Sequence, residues 1–219
     1  MLAFDTAGPA CSVAIGRGDS VLAHERRDMR HGHAEALLPM IDRVVAAAKL
    51  GPDDIDCVAV SVGPGGFTGI RAGLAVAHGL TLATGARLFG VGSLAAVAAL
   101  VPIAESRLLV ALDSRRADLY VQLFDRDGAP RTEPMAILPE NLAGWVGDGA
   151  LRIAGDAAEA AAAALAQRPR IEIVPGSAPD ACGVLAAVRH WPALADPIGQ
   201  PVYLRPPDVS LPKPGRGAR

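Results

Sequence analysis

The sequence has few of the features that mark secreted or membrane proteins. Its three cysteines, Cys11, Cys57 and Cys182, are odd in number, far apart and without CxxC spacing, which argues against a disulfide framework or zinc cluster and predicts small buried thiols. Two uncharged runs, residues 72–86 and 88–104, are shorter than the roughly 20 apolar residues that cross a bilayer. No cationic segment precedes an apolar run at the N-terminus, so we expect no secretory signal and a cytoplasmic protein.

The composition also lacks an electrostatic signal for nucleic acid. The 219 residues include 23 acidic and 21 basic side chains, and the net charge of -2 gives no broad cationic field for a phosphate backbone. Only 4% of the residues are aromatic, whereas 51% are apolar, which is enough for a folded core. We therefore expect one large globular domain or two small ones.

The hydrophobic pattern predicts an α/β protein. Three short runs separated by turn residues, over 1–5, 11–16 and 20–25, predict a three-stranded meander. Apolar spacings of three and four predict a helix over 33–49, and a continuous apolar run predicts a buried strand over 57–62. Later helices are predicted over 69–84, 93–100, 156–167 and 179–190, and later strands over 87–91, 107–113, 118–124, 151–155 and 171–174.

A weak internal repeat divides the chain near its middle. The pair Asp5-Thr6 ends the first predicted strand, and Asp113-Ser114 ends a similar strand 108 residues later. The spacing predicts two related lobes, over residues 1–104 and 105–204. Residues 205–219 contain four prolines and basic side chains, which predict a solvated, disordered tail; a docking arm for a partner or RNA is the alternative.

The two strand-ending turns are predicted to be vestigial phosphate loops, which indicates ancestry more than present activity. Asp5 with Thr6, and Asp113 with Ser114 and Arg115, combine backbone N–H groups, a hydroxyl and a carboxylate that can orient a metal-bound water. Two such turns facing each other would close over a nucleotide. The alternative is that these residues only cap turns.

A glycine-rich stretch between the predicted strand 57–62 and helix 69–84 is the most distinctive motif. It contains Gly63, Pro64, Gly65, Gly66, Phe67, Thr68, Gly69, Ile70 and Arg71. Its glycines permit close backbone approach, and the helix N-terminus after it could hold an anion. It lacks the Lys-Ser/Thr of a Walker loop. We expect an exposed Phe67 that anchors packing between the lobes and an Arg71 that pairs with a carboxylate or phosphate; a purely structural turn is the alternative.

Catalytic and metal signals are sparse. His31 and Glu35 have the i to i+4 spacing of two ligands on one helix face, with His33 between them, but no third ligand follows. No Ser/His/Asp or Cys/His arrangement can be assembled. We therefore predict neither a metal site nor a catalytic residue.

The sequence resembles the TsaB (YeaZ) family, which is related to the M22 glycoproteases and to the actin, Hsp70 and sugar kinase superfamily. The resemblance spans residues 2–205. It rests on residues 2–6, 11–14, 33–41, 63–71, 113–116, 154–156, 201 and 203–205. Gly66 stands where serine is usual in the family. The resemblance implies a two-lobed actin-like ATPase (ribonuclease H-like) fold, with mixed sheets flanked by helices and an internal duplication.

The resemblance also implies a function. Family members are non-catalytic partners of TsaD, which transfers threonylcarbamoyl to N6 of adenosine 37 in tRNAs reading ANN codons; TsaE is a further partner. TsaD proteins carry an HxxxH metal motif, whereas here His33 is followed four residues later by Leu37. We expect the isolated chain to bind no cofactor, with ATP or ADP held at the shared surface with TsaD and tRNA bound only through the complex.

Two helices are the expected interface with TsaD and, in its absence, with a second copy of the chain. Apolar and small residues of both helices could pack against partner helices in a bundle, although part of each stripe must cover the sheet. The predicted interface residues are His33, Glu35, Leu37, Leu38, Ile41, Val45, Phe67, Arg71, Ala72, Ala75, Val76 and Gly79. The alternative function is a stand-alone ATP-dependent kinase or M22-type peptidase.

Overall fold

The computed structural model describes residues 1–175, 178–192 and 195–205, which form two five-stranded mixed sheets. In the first sheet the strand order is β3-β2-β1-β4-β5, with β1 antiparallel to β2 and parallel to β4. The predicted meander and buried strand are confirmed. The strands are β1 (Leu2–Asp5), β2 (Ala10–Arg17), β3 (Ser20–Asp28), β4 (Cys57–Gly63) and β5 (Arg87–Gly92).

The second sheet repeats the topology of the first. Its order, read from the same end, is β8-β7-β6-β9-β10, and β6 is antiparallel to β7 and parallel to β9. This repetition agrees with the predicted internal duplication. The strands are β6 (Arg107–Asp113), β7 (Leu119–Phe124), β8 (Met135–Ile137), β9 (Leu151–Ala154) and β10 (Ile171–Ile173). The short β8 was not predicted, because three half-buried residues leave no readable alternation.

Helices cover both sheets. Among the described residues, none of the helices combines the length and the apolar character that a membrane span requires. The helix α2 begins at Phe67, two residues before the predicted start, and α5 is shorter than predicted. The helices are α1 (His33–Ala47), α2 (Phe67–Thr84), α3 (Ser93–Ala98), α4 (Leu142–Trp145), α5 (Ala158–Ala164) and α6 (Ala181–His190), with 3-10 turns at Pro52–Asp54 and Pro139–Asn141.

The helices α1 and α2 lie against the first sheet. In α1 the residues Leu37, Met40, Ile41 and Val44 point into a core that also contains Phe4 of β1. Leu37 and Ile41 were predicted to contact a partner. That prediction is wrong for both, because these side chains are buried against the sheet of their own lobe.

The helix α6 crosses the predicted division between the lobes. It is assigned by sequence to the second lobe, yet Val184 and Leu185 pack against Ala3 and Ala59 of the first sheet. A side chain at Gly183 would collide with the Ala96 carbonyl oxygen, so glycine permits α3 and α6 to approach closely. The boundary at residue 104 stays a prediction.

The end of the described chain also returns to the first lobe. Backbone hydrogen bonds join Asp196 to Gly90 of β5, and the Val202 N–H donates to the Val62 carbonyl at 2.8 Å. An ion pair between Arg205 and Asp118 then ties this arm to the second lobe. Most of the predicted tail, 206–219, lies outside the described residues.

Candidate functional site

The first candidate phosphate loop is closed by its own neighbours. The buried Asp5 carboxylate accepts hydrogen bonds from the Ala7 N–H, at 2.8 Å, and from the Ser61 hydroxyl. The Thr6 hydroxyl donates to the Gly69 carbonyl at 2.7 Å. Burial raises the pKa of the Asp5 carboxyl above its ordinary range. The groups that would face a phosphate therefore already have partners within the first lobe.

The glycine-rich stretch is what closes this turn. The Gly66 N–H donates to the Ala7 carbonyl at 2.8 Å. A Cβ atom at Gly65 would collide with the same carbonyl, and one at Gly69 would collide with the Thr6 carbonyl. The start of α2 therefore packs directly on the backbone of the β1–β2 turn. The glycines serve this close approach, as in the structural alternative.

The second candidate loop has the same local geometry but is open to solvent. Asp113 accepts from the Arg115 N–H at 2.7 Å, two residues on, just as Asp5 accepts from Ala7. The Asp113 N–H donates to the Asp156 carboxylate at 2.9 Å, and burial raises the pKa of Asp156. Asp113 and Arg115 themselves are exposed.

The space between the two turns is small. A cavity of about 80 Å³ is lined by both turns, by Gly65 and Gly66, and by Ser93. The Ser93 hydroxyl is buried and has no hydrogen-bond partner among the described residues. Pockets that hold organic ligands are typically about 300–1,000 Å³. The cavity directly between the two turns is below that range, whereas a pocket of about 480 Å³ adjoins it and is lined by residues that include Thr6, Gly8 and Arg115.

Phe67, Arg71 and Tyr203 form one cluster beside the cleft. The Arg71 guanidinium lies 3.7 Å from the centre of the Phe67 ring and donates to the Tyr203 hydroxyl at 3.1 Å. The two ring centres are 5.0 Å apart. The predictions for these residues were partly wrong: Phe67 opens α2 and is half-buried, and Arg71 contacts aromatic rings where an anionic partner was expected.

The remaining predicted interface residues lie at or near the surface of α1 and α2. Leu38 is 50% exposed, and Leu82, which the sequence analysis missed, is 89% exposed. We call the exposed apolar surface of Leu38, Ala75, Gly79 and Leu82 the α1–α2 face. Glu35 and Arg71 are also exposed, whereas His33, Val45, Phe67, Ala72 and Val76 are half-buried.

The histidines at the start of α1 form no ligand cluster with Glu35 in the described residues. Burial lowers the pKa of His33. A different group, His24, Asp180 and Cys182, brings potential ligand atoms within 4.8 Å of one another, across sequence distances that no spacing rule detects.

The surroundings of this group disfavour a cation. The Arg26 guanidinium lies 3.4 Å from the Asp180 carboxylate and places a positive charge there. Burial, with Asp180 adding to the effect, raises the pKa of the Cys182 thiol to about 12, so the free thiol is a poor nucleophile at neutral pH.

The other two cysteines behave as predicted. Cys11 and Cys57 are buried in β2 and β4, and burial raises the pKa of each thiol to about 11. Such thiols are poor nucleophiles at neutral pH.

Sequence comparisons identify relatives over nearly the whole chain. A family model described as TsaD, tRNA N6-adenosine threonylcarbamoyltransferase, matches residues 26–183. An uncharacterised protein of Mycobacterium tuberculosis is 38% identical over 212 residues, which cover 95% of this chain and 93% of that protein. The tRNA threonylcarbamoyladenosine biosynthesis protein TsaB of Escherichia coli is 36% identical over 129 residues, or 58% of this chain and 55% of that protein.

Two solved structures superpose on most of this chain. YeaZ from Pseudomonas aeruginosa superposes with a TM-score of 0.76 and 25% identity, covering 92% of this chain and 98% of that chain. The ROK hexokinase of Thermus thermophilus superposes with a TM-score of 0.53 at 14% identity, over 87% of this chain and 97% of that chain. The second similarity concerns the fold alone, and it confirms the predicted actin-like ATPase architecture.

Proposed function

Because the chain belongs to the TsaB (YeaZ) family, we propose that it acts in threonylcarbamoyladenosine formation in tRNA as an accessory subunit that does not carry out the transfer itself. The modified position is adenosine 37 of tRNAs reading ANN codons. The partner that performs the transfer is a TsaD protein.

The closed first turn is the observation that carries the non-catalytic role. In a two-lobed ATPase both turns must face the nucleotide, whereas here Asp5 is 2% exposed and bonded to Ser61 and Ala7. The cavity directly between the two turns measures about 80 Å³. The Asp5 and Thr6 side chains, which a kinase would direct at its nucleotide, are here hydrogen-bonded within the first lobe.

The α1–α2 face is the proposed docking surface for TsaD. It exposes two leucines, Leu38 and Leu82, beside small residues that allow another helix to approach. Because a TsaD family model matches residues 26–183, TsaD is expected to present helices equivalent to α1 and α2. Two similar faces can then pair about an approximate two-fold axis and form a four-helix bundle. The same face would support a homodimer when TsaD is absent.

Charged substitutions on the α1–α2 face test this placement. Ala75→Glu places a carboxylate in the centre of the face, and Leu38→Asp does the same on α1. Ala160→Glu on α5 is the matched control, because Ala160 is also exposed on a helix but lies in the second lobe. By size-exclusion chromatography and sedimentation, we expect both face variants to lose TsaD binding while remaining folded, and Ala160→Glu to bind as the unmodified chain does. Retained binding by the face variants would contradict the placement.

A separate assay distinguishes this role from that of a stand-alone enzyme. The purified chain should hydrolyse neither ATP nor peptides above background. ATP or ADP should bind only when TsaD is present, because the proposed nucleotide site lies at the shared surface. Turnover of ATP or peptide by the chain alone would instead support the kinase or peptidase alternative.

A further inference from the structure

A larger cavity lies away from the cleft, where the segment joining the lobes passes the end of α6. Its volume is about 450 Å³, within the range that holds small organic ligands. Its wall is mainly apolar. The apolar lining includes Leu100, Val101, Ile103, Leu108 and Trp191.

Two arginines also line this cavity, the exposed Arg126 and the buried Arg152 on β9. Arg152 pairs in register with Leu108 of β6, on the sheet face whose other residues, such as Val110 and Ala154, form an apolar core. The arginine is only 8% exposed. A buried guanidinium normally has an anionic partner, because burial without one is costly.

Arg152 has no such partner within the described part of the chain. Its side chain donates a hydrogen bond to the Pro102 carbonyl at 2.6 Å, and none of the ion pairs among the described residues involves it. Arginine has five N–H donors in a planar fork that matches a carboxylate. The cavity therefore combines an apolar wall with a cation that can accept an anionic partner.

The lining also carries exposed or half-buried charges of both signs. Asp125 is paired with Arg131 at 3.0 Å, Asp127 accepts a hydrogen bond from the Ala129 N–H at 3.1 Å, and Arg126 is paired with Glu105 at 3.7 Å. Arg152 is the buried arginine of the lining, and its planar fork matches a single carboxylate.

We propose that this cavity binds a small amphiphilic monocarboxylate, whose carboxylate pairs with Arg152 and whose apolar body lies along Leu108 and Trp191. This proposal does not rest on the role in tRNA modification. The alternative reading of Arg152 is that it only holds the segment between the lobes through Pro102.

Octanoate is a suitable probe, and Trp191 can report its binding. The chain contains two tryptophans, so Trp145→Phe leaves Trp191 as the single one. In this background we expect octanoate to change the Trp191 emission saturably, and to bind about ten-fold more tightly than octanol or octylamine. No saturable change with octanoate, or equal binding of octanol, would overturn the proposal.

Two variants test the role of the charge. Arg152→Met keeps the length and apolar stem of the side chain, and we expect it to weaken octanoate binding about ten-fold while leaving octanol binding unchanged. Ile103→Glu adds a negative charge at the mouth, where Ile103 is 74% exposed and can be replaced without disturbing the core. Ile103→Glu should weaken octanoate binding in the same way. Ile198→Glu, at another exposed isoleucine, should leave octanoate binding unchanged. Undiminished octanoate binding in Ile103→Glu would contradict the proposal even if Arg152→Met failed to fold.

Discussion

The two lobes contain the same turn in two different states. Asp5 and Asp113 each end the first strand of a five-stranded sheet, and each accepts a hydrogen bond from the backbone N–H two residues later. Asp5 is buried beneath the start of α2, whereas Asp113 is exposed. A shared fold and a shared local turn therefore do not determine whether a site remains open.

The difference arises from the segments that follow β4 and β9. After β4, the glycine-rich stretch lets a long helix pack on the backbone of the first turn. After β9, Gly155 is followed by Asp156, whose carboxylate accepts from the Asp113 N–H and leaves the outer side of that turn free. The first lobe therefore uses this side of its turn for internal packing.

A substitution that disrupts the closed first turn should lower the free energy of unfolding the most. Gly69→Ala places a methyl group against the Thr6 carbonyl, and because both groups are backbone-fixed, we expect a loss of about 3 kcal/mol in the free energy of unfolding. Denaturant unfolding measures this change.

Gly79→Ala is the matched control in the same helix. A Cβ atom there meets no other atom within 4 Å, so the substitution should stabilise the protein by about 0.5–1 kcal/mol through helix propensity. Equal effects of the two substitutions would contradict the close packing of α2 on the first turn.

The buried carboxyl of the closed turn should make the free energy of unfolding depend on pH. Burial raises the pKa of folded Asp5, so between the ordinary aspartate range and this raised value the folded state binds more protons than the unfolded state. Asp5 therefore lowers the free energy of unfolding as the pH rises through that window, and Asp5→Asn should remove this decrease.

Urea unfolding across the acidic range measures the stability difference between Asp5→Asn and the unmodified chain. Asp113→Asn, the same substitution in the exposed turn, controls for the change of side chain. If the difference for Asp5→Asn is independent of pH, the buried carboxyl is not the source of the slope.

The hydroxyl groups of the two turns should differ by a smaller amount in what they contribute to the free energy of unfolding. Thr6→Val removes a buried hydrogen bond to the Gly69 carbonyl with little change of shape, at an expected cost of about 1 kcal/mol. Ser114→Ala removes hydrogen bonds to Asp118, which is buried but keeps its ion pair with Arg205, and should cost about 0.5 kcal/mol. Thermal unfolding of both variants gives the comparison; a larger cost for Ser114→Ala would reverse the assignment of the closed and open turns.

Most of the fold could be predicted because its signals are local. The apolar spacing of α1 and the continuous apolar run of β4 depend only on neighbouring residues, and both elements appear within two residues of the predicted bounds. The duplication was also visible, because the two aspartates recur at equivalent strand ends. The early start of α2 was missed, since Gly66 and Phe67 read as turn residues until the backbone of Ala7 is brought against them.

The candidate site was harder to predict because it depends on long-range packing. Leu37 and Leu38 are adjacent and equally apolar, yet one is completely buried and the other is half exposed. Only the position of the sheet beneath α1 decides between them. Likewise, the hydrogen bond between Thr6 and Gly69 joins residues 63 positions apart, and no motif predicts that it closes the first turn.

The most direct test of the proposed role is tRNA modification in a reconstituted system. TsaD, TsaE, the enzyme that makes threonylcarbamoyl-adenylate and unmodified tRNA would be combined with the purified chain or its Ala75→Glu variant. The account predicts that modification requires both TsaD and this chain, that Ala75→Glu abolishes it and that Ala160→Glu leaves it unchanged. Modification by this chain without TsaD, or full activity of Ala75→Glu, would contradict it.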